Sequence, residues 1–247
     1  MKAVWSGSLA FGLVNVPVKL YSAINPKELG FRILCSDCNT PLRYKRWCPK
    51  CKKEVAWEKV VKGLEVSKGV IVPITKEKLE KLKPEKSDVA DIIEFIDQHA
   101  IDPIYYNKHY YIAPAKEKEK AYFLLKEVMQ AAAKGAVGKI VMREKEHACY
   151  IESYKSGMLL TTLNYSYEIR NISQIPELKI KPALKKEEEE LAKELIKKYY
   201  KSKFDIKEFK DTFSEKLLGL VKGKKLRAAP KVEKPKSLMQ ALKASVK

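Results

Sequence analysis

Apolar and polar residues alternate through the first two thirds of the chain, and this pattern predicts strands. Residues 2–10 and 13–22 are rich in valine, leucine and aromatics, with Gly7, Gly12 and Pro17 marking bends. Residues 30–34 lead into one cysteine pair and residues 42–47 into a second; 55–66 and 69–74 read as further strands. Thr75 is a candidate cap for a short charged helix to residue 82, ended before Pro84. Strand patterns return at 89–96 and around Tyr105, Tyr106, Tyr110 and Tyr111, after a turn at Asp102-Pro103. Residues 117–134 change to helical spacing through Ala121, Leu124, Leu125, Val128 and Met129, and stop at Gly135. Strands resume at 139–143, 148–154 and 158–164. Beyond Pro182 the period is helical at 184–200 and 206–221, with a final short helix at 236–246. The pattern therefore predicts an α+β, β-rich fold with a helical C-terminal region.

A chain of 247 residues can bury a real core. No apolar run approaches a bilayer span, and the N-terminus lacks the apolar segment of a secretory signal. With reduced-type cysteine usage, these features predict a cytoplasmic protein without a membrane partner. Charge changes the picture more. The formal net charge is +19, from 50 basic and 31 acidic residues. Lysine and glutamate both rise in thermophile sequences, which accounts for part of the lysine but not for the excess. Such an excess implies a polyanionic partner, nucleic acid ahead of an anionic membrane. Nine basic residues and one acid lie from position 221 onward, so this tail carries +8 and the first 220 residues +11. The segment 223–235, with two prolines and many charges, reads as a linker.

Cys35, Cys38, Cys48 and Cys51 form a C-x2-C-x9-C-x2-C arrangement. Four thiolates around Zn2+ would make a closed structural site, with no ligand position left for water or substrate. Two disulfides are the rival reading; the absence of a signal, the chain length and the odd Cys149 weigh against it. The segment between the pairs, 39–47, is long enough for a hairpin carrying Arg43, Lys45 and Arg46. Cys149 itself falls in a strand and reads as a buried thiol.

Several motifs then resemble the prokaryotic Ku family. Trp5-Ser6-Gly7-Ser8-Leu9-Ala10-Phe11-Gly12-Leu13-Val14-Asn15-Val16-Pro17-Val18-Lys19-Leu20-Tyr21 is similar to that family's opening motif. Val61-Lys62-Gly63-Leu64-Glu65, Ile101-Asp102-Pro103-Ile104-Tyr105-Tyr106, Ala121-Tyr122-Phe123-Leu124-Leu125 and Leu163-Asn164-Tyr165-Ser166-Tyr167-Glu168-Ile169-Arg170 follow in order, and 238–246 resembles the family's short terminal helix. The resemblance spans the chain. It implies a β-barrel core with bridging arms over residues 1–182, including a zinc-ribbon-like knuckle at 33–53. A helical arm would follow at 183–222, then a basic linker with a short amphipathic helix at 223–247. It further implies a homodimeric ring threaded onto double-stranded DNA ends. Such a ring binds without sequence preference, protects and bridges ends in non-homologous end joining, and recruits a dedicated DNA ligase. Leu64 stands where relatives carry an aromatic residue. Many relatives also differ at positions 35 and 38, so zinc here rests on spacing.

A sliding ring needs phosphate contacts rather than base readout. Lys19, Arg43, Lys45, Arg46, Lys62, Lys139, Arg143 and Arg170 are the candidates, each weighed against an ordinary solvated charge. Leu238, Met239 and Leu242 would form a docking face for the ligase, or else pack on the chain's own core. The tyrosines read as strand-packing residues rather than base-stacking ones. No enzyme signature is present. Gly135-Ala136-Val137-Gly138-Lys139 only superficially resembles a phosphate loop, and His99, His109 and His147 have no metal-ligand spacing. The alternative functions are a zinc-ribbon nuclease, which would cleave DNA with Mg2+, and a transcriptional regulator, which would bind closed circles as well as ends.

Overall fold

The computed structural model describes residues 1–27, 29–81, 88–143, 145–223 and 237–246. Two compact units divide it, Met1–Arg170 and Asn171–Lys247. In the first unit β1 (Trp5–Phe11) and β2 (Val14–Ser22) form a hairpin in which Trp5 faces Leu20 and Phe11 faces Val14. Its tight turn needs a left-handed residue, and Gly12 supplies it at φ +56°. Next come two short strands around the second cysteine pair, β3 (Trp47–Cys48) and β4 (Lys53–Glu54), then the hairpin β5 (Lys62–Ser67) and β6 (Val70–Ile74), and helix α1 (Lys76–Lys81). Strand β7 (Val89–Asp97) returns the chain to the main sheet. Strand β8 (Tyr106–Pro114), helix α2 (Glu119–Ala131), β9 (Lys134–Met142), β10 (Lys145–Tyr154) and β11 (Gly157–Leu163) complete it.

Seven of these strands close a barrel in the order β1-β2-β8-β11-β10-β9-β7. Parallel pairing of β1 with β7 makes the closure, and the other neighbours are antiparallel. Alternate side chains point inward, so Val16, Val18 and Leu20 of β2 meet Cys149 and Ile151 of β10 and Met158 and Leu160 of β11 in one buried cluster. Helix α2 adds Tyr122, Leu125 and Met129 at helical spacing. The Tyr122 hydroxyl donates to the Ile112 carbonyl at 2.6 Å and accepts the Met158 N–H at 2.9 Å, tying α2 to β8 and β11. Cys149 is a core thiol as expected, its pKa pushed up to about 12 by burial.

The segment 135–139 is an extended part of β9, and its glycines serve packing. A Cβ on Gly138 would stand 2.1 Å from the Asp91 carbonyl oxygen of β7, and one on Gly135 would strike the Tyr150 ring at 2.2 Å. Backbone cannot yield as a side-chain tip can. Gly138→Ala should therefore destabilise by about 3 kcal/mol, read as a Tm lower by roughly 6–12 °C in thermal unfolding.

Several sequence-based boundaries differ. Residues 30–34 and 42–47 pair only at the Leu34–Pro41 bridge and within β3, and 57–59 form a 3-10 turn before β5. Alternation alone gives no partner strand, and here each cysteine pair turns the chain back after a few residues. Helix α2 ends at Ala131 because Ala133 takes a left-handed φ of +50° and β9 begins at Lys134.

The second unit holds α3 (Lys186–Tyr199), α4 (Thr212–Val221) and α5 (Leu238–Val246). Acidic residues fill the first turn of α3 and lysines its last, matching the helix dipole. Asp211 caps α4 by accepting the Ser214 N–H at 3.0 Å, and the Ser214 hydroxyl, with this N–H second, holds its carboxyl below the usual range. Helix α5 lies on α3. Lys198 Nζ donates to the Ser245 and Val246 carbonyls at 3.0 Å each, and Lys243 pairs with Glu187 at 3.1 Å. Past Gly223 the expected linker lies outside the described residues, as do Leu82 and most of the tail cations.

Candidate nucleic-acid interface and cysteine knuckles

Both cysteine pairs are built alike. After each second cysteine the chain takes a left-handed step, at Asn39 (φ +55°) and Lys52 (φ +50°), which folds the preceding turn back on itself. In the first, the Asn39 N–H donates to the Cys35 carbonyl at 2.8 Å and the Cys35 N–H to the Thr40 carbonyl at 3.0 Å. In the second, the Cys51 N–H donates to Cys48 Sγ at 3.4 Å. Contact with the Thr40 hydroxyl lowers the Cys38 pKa, and the Cys51 N–H lowers that of Cys48, while Cys51 is raised by its neighbour Cys48. Backbone amides aimed at sulfur favour thiolate, the form that binds metal. All five cysteines are free thiols. Among the described residues no three cysteine, histidine or carboxylate side chains converge as a metal-binding group, and the two pairs form two separate turns. The hairpins also differ from expectation. They enclose the pairs themselves, through the Leu34–Pro41 bridge and through β3 and β4, and segment 39–47 links one to the other.

The predicted cations fare unequally. Lys45 is held by Glu54 at 3.0 Å, and the Arg46 guanidinium lies 4.5 Å over the Trp57 ring. Lys139 pairs with Glu146 at 3.0 Å, which raises its pKa. Lys19 is half-buried on β2, Lys62 opens the exposed hairpin β5–β6, and Arg43 and Arg170 are exposed. Arg143 occupies the two-residue connection between β9 and β10 with φ +51°, and it alone of the eight joins a cationic cluster around a cavity.

That cavity, about 270 Å³, lies at one end of the barrel. Tyr110, Met142 and Thr162 form its floor, and Lys108, Arg143, Lys145 and His147 line it. Lys108 and Lys145 carry no ion pair among the described residues. The Lys108 N–H donates to Thr162 Oγ1 at 3.1 Å, which fixes this stretch of β8 beside β11. Burial lowers the His147 pKa, Lys145 and Lys108 lower it further, and Glu168 opposes them. Sequence reading missed Lys108, Lys145 and His147, although a signal existed. Lys145 and His147 extend the inward row of Cys149 and Ile151 past the apolar core, and an inward row ending in cations marks a charged barrel end.

Six of the thirteen tyrosines meet one another. Tyr106 stacks on Tyr150 and Tyr111 on Tyr154, both at 6.2 Å, and Tyr165 on Tyr167 at 5.4 Å, consistent with their reading as packing residues. On α5, Met239 and Leu242 are half-buried and Leu238 is 61% exposed.

One end of the barrel is therefore basic. Similarity to known proteins makes the class specific. The family model described as the Ku70/Ku80 beta-barrel domain matches residues 10–209. A non-homologous end joining protein Ku of Archaeoglobus fulgidus is 39% identical over 250 residues, covering all of this chain and 98% of the relative. Proteins of the same name from Desulfitobacterium hafniense and Bacillus subtilis are 38% and 31% identical, again over the whole chain and over 87% and 82% of their own lengths. The chain belongs to the Ku family. With that membership goes the non-enzymatic reading of the sequence. Among the described residues no helix is long and apolar enough to cross a membrane.

Proposed function

We propose that this protein is a homodimeric ring that binds double-stranded DNA ends without reading sequence, protects and bridges them in end joining, and brings in a DNA ligase. The observation that carries the reading is the cluster of Lys108, Arg143, Lys145 and His147, three cations and an imidazole with no carboxylate beside them among the described residues that line the cavity they share. Phosphate is the partner such a cluster suits, and phosphate is the part of DNA common to every sequence. Lys19, Arg43, Lys62 and Arg170 would add dispersed contacts. Competition between closed circular and linear duplex of equal mass tests the threading: linear DNA should displace a labelled linear probe and the circle should not. Equal competition would overturn the ring.

Dimer formation is supported by the second unit, whose Tyr199, Tyr200, Phe204, Phe209 and Phe213 are exposed within one chain. Aromatic side chains of this size are enriched at interfaces and rare as free surface. Light scattering should give twice the chain mass of 28.3 kDa, and Phe204→Ser with Phe209→Ser should return it toward the single-chain value. Residues 1–182 would then act as core and bridge, with β5–β6 as a bridging arm, and 183–222 as the dimer arm. Zinc belongs to the same reading, held by Cys35, Cys38, Cys48 and Cys51 as a structural clip of the knuckle at 33–53. For the ligase, Leu238 is the most accessible part of the proposed face Leu238, Met239 and Leu242. The seating of α5 on α3 favours a second reading, in which this helix completes its own unit. Deleting residues 236–247 should spare DNA binding and weaken ligase stimulation; stimulation that persists selects the second reading.

His147 makes a pH dependence part of the proposal. Its neutral form is favoured in the free protein by burial and by Lys145 and Lys108, with Arg143 on the same cavity and Glu168 opposing. A bound phosphate favours the charged form and raises the pKa, so the complex holds more protons than its parts near pH 6. Affinity should rise as pH falls through the ordinary histidine value near 6.5 and below it. His147→Gln should flatten that rise in a binding titration.

A further inference from the structure

The cavity at the β9–β10 end of the barrel has features that dispersed backbone contacts do not require. It is recessed, with the buried residues Met142 and Thr162 and the adjoining Tyr110 as its floor. A duplex backbone phosphate continues into sugar on both sides and meets a protein at a surface. A chain terminus can enter a hole. The lining is also charge-rich for one phosphodiester: Lys108, Arg143, Lys145 and His147 converge on about 270 Å³, and the Asn107 amide stands beside them. A phosphate monoester carries roughly −1.5 to −2 near neutral pH, against −1 for a diester, and offers three acceptor oxygens.

Backbone geometry points the same way. Met142 pairs with Lys145, so the strands are joined by two residues, and the first of them, Arg143, is left-handed at φ +51°. Such connections ordinarily take Asn, Asp or Gly at this conformation, because a longer side chain there is strained. Arginine is an unfavourable choice for the turn itself. Arg143 nonetheless lines the cavity, and a guanidinium is the group that can grip two phosphate oxygens at once.

We propose that this cavity is a receptor for a phosphate monoester, the terminal phosphate of a DNA strand, with Arg143 and Lys145 as its principal contacts and Lys108 and His147 completing the charge. The inference rests on the end-binding reading and adds to it a chemical preference among ends.

The experiment uses the full chain and linear duplexes identical except for their ends: hydroxyl at both termini, 5′-phosphate, or 3′-phosphate. Closed circular duplex and inorganic phosphate serve as further probes. At low salt one of the phosphorylated duplexes should bind about tenfold more tightly than the hydroxyl form, the gain of a charge-assisted contact. Inorganic phosphate should shift the ring proton resonances of His147 and compete selectively with the phosphorylated duplex, which separates the anion itself from the DNA that carries it. Arg143→Gly gives the sharpest test: relieving the left-handed strain should raise Tm while the preference disappears, so loss cannot be ascribed to unfolding. Lys145→Gln should reduce the preference with the fold intact. Equal affinity for phosphorylated and hydroxyl ends overturns the proposal. So does a preference that survives Arg143→Gly, or one unaccompanied by any His147 response to phosphate. A protein that binds hydroxyl-ended linear duplex and circle equally well instead fails the end-binding reading, and the phosphate response of His147 still reports on the cavity.

Discussion

Raising monovalent salt from about 50 to about 200 mM should weaken binding to a linear duplex by roughly a thousandfold or more. The expectation follows from how a duplex can be held without reading its bases. Each neutralised phosphate releases condensed counterion, so affinity falls with a slope of about −0.9 per phosphate neutralised. Among the described residues several cations have no carboxylate partner to surrender, Lys108, Lys145 and Arg143 among them, whereas Lys45 and Lys139 are engaged by Glu54 and Glu146. Replacing Lys108 and Lys145 by glutamine should therefore lower the salt slope by about two, one for each cation removed. The same change at Lys45 or Lys139 should do much less, since each is already ion-paired. Stability should hardly change, because both Lys108 and Lys145 are exposed at the barrel end. A flat salt response would exclude binding dominated by phosphate.

Removing metal should disorder the knuckle at 33–53 while leaving the barrel folded. Elemental analysis of the purified protein should find zinc in about equimolar amount, as a four-thiolate structural site requires. Structural zinc contributes about 10–16 kcal/mol in isolated peptides, so folding of a small metal-held segment depends almost wholly on the ion. The knuckle has little else: β3 and β4 are two residues each, and they share no ladder with the barrel strands. Chelation, or Cys48→Ser, should thus expose Lys45, Arg46, Lys50, Lys52 and Lys53 to trypsin within minutes under conditions where Lys139 in β9 stays protected. Thermal unfolding of the barrel should move little. Protein that lacks zinc yet keeps the knuckle resistant would return the four cysteines to the free-thiol reading.

Much of the barrel could be read directly. Val16, Val18 and Leu20 alternate so regularly that a strand with one buried face was the only economical reading, and β10 and β11 are equally plain. The helical spacing of Ala121, Leu124, Leu125, Val128 and Met129 placed the end of α2 within three residues of its observed position. Where the sequence misled, the pattern was local and the cause lay elsewhere in the chain. Residues 30–34 and 42–47 alternate like strands but find no partner of any length. Lys139 and Lys45 look like free cations until Glu146 and Glu54 arrive beside them.

The amino-acid sequence by itself determined that this chain would be a basic, β-rich Ku-type protein with paired cysteines, because alternation, charge and motif spacing are properties of neighbouring residues. Tertiary structure alone decided which cations act together. Lys108 and Arg143 are 35 positions apart, and only antiparallel pairing of β8 with β11, β11 with β10 and β10 with β9 brings them to one end of the barrel. Electrostatic potential depends on distance in space, and closure of the barrel sets those distances.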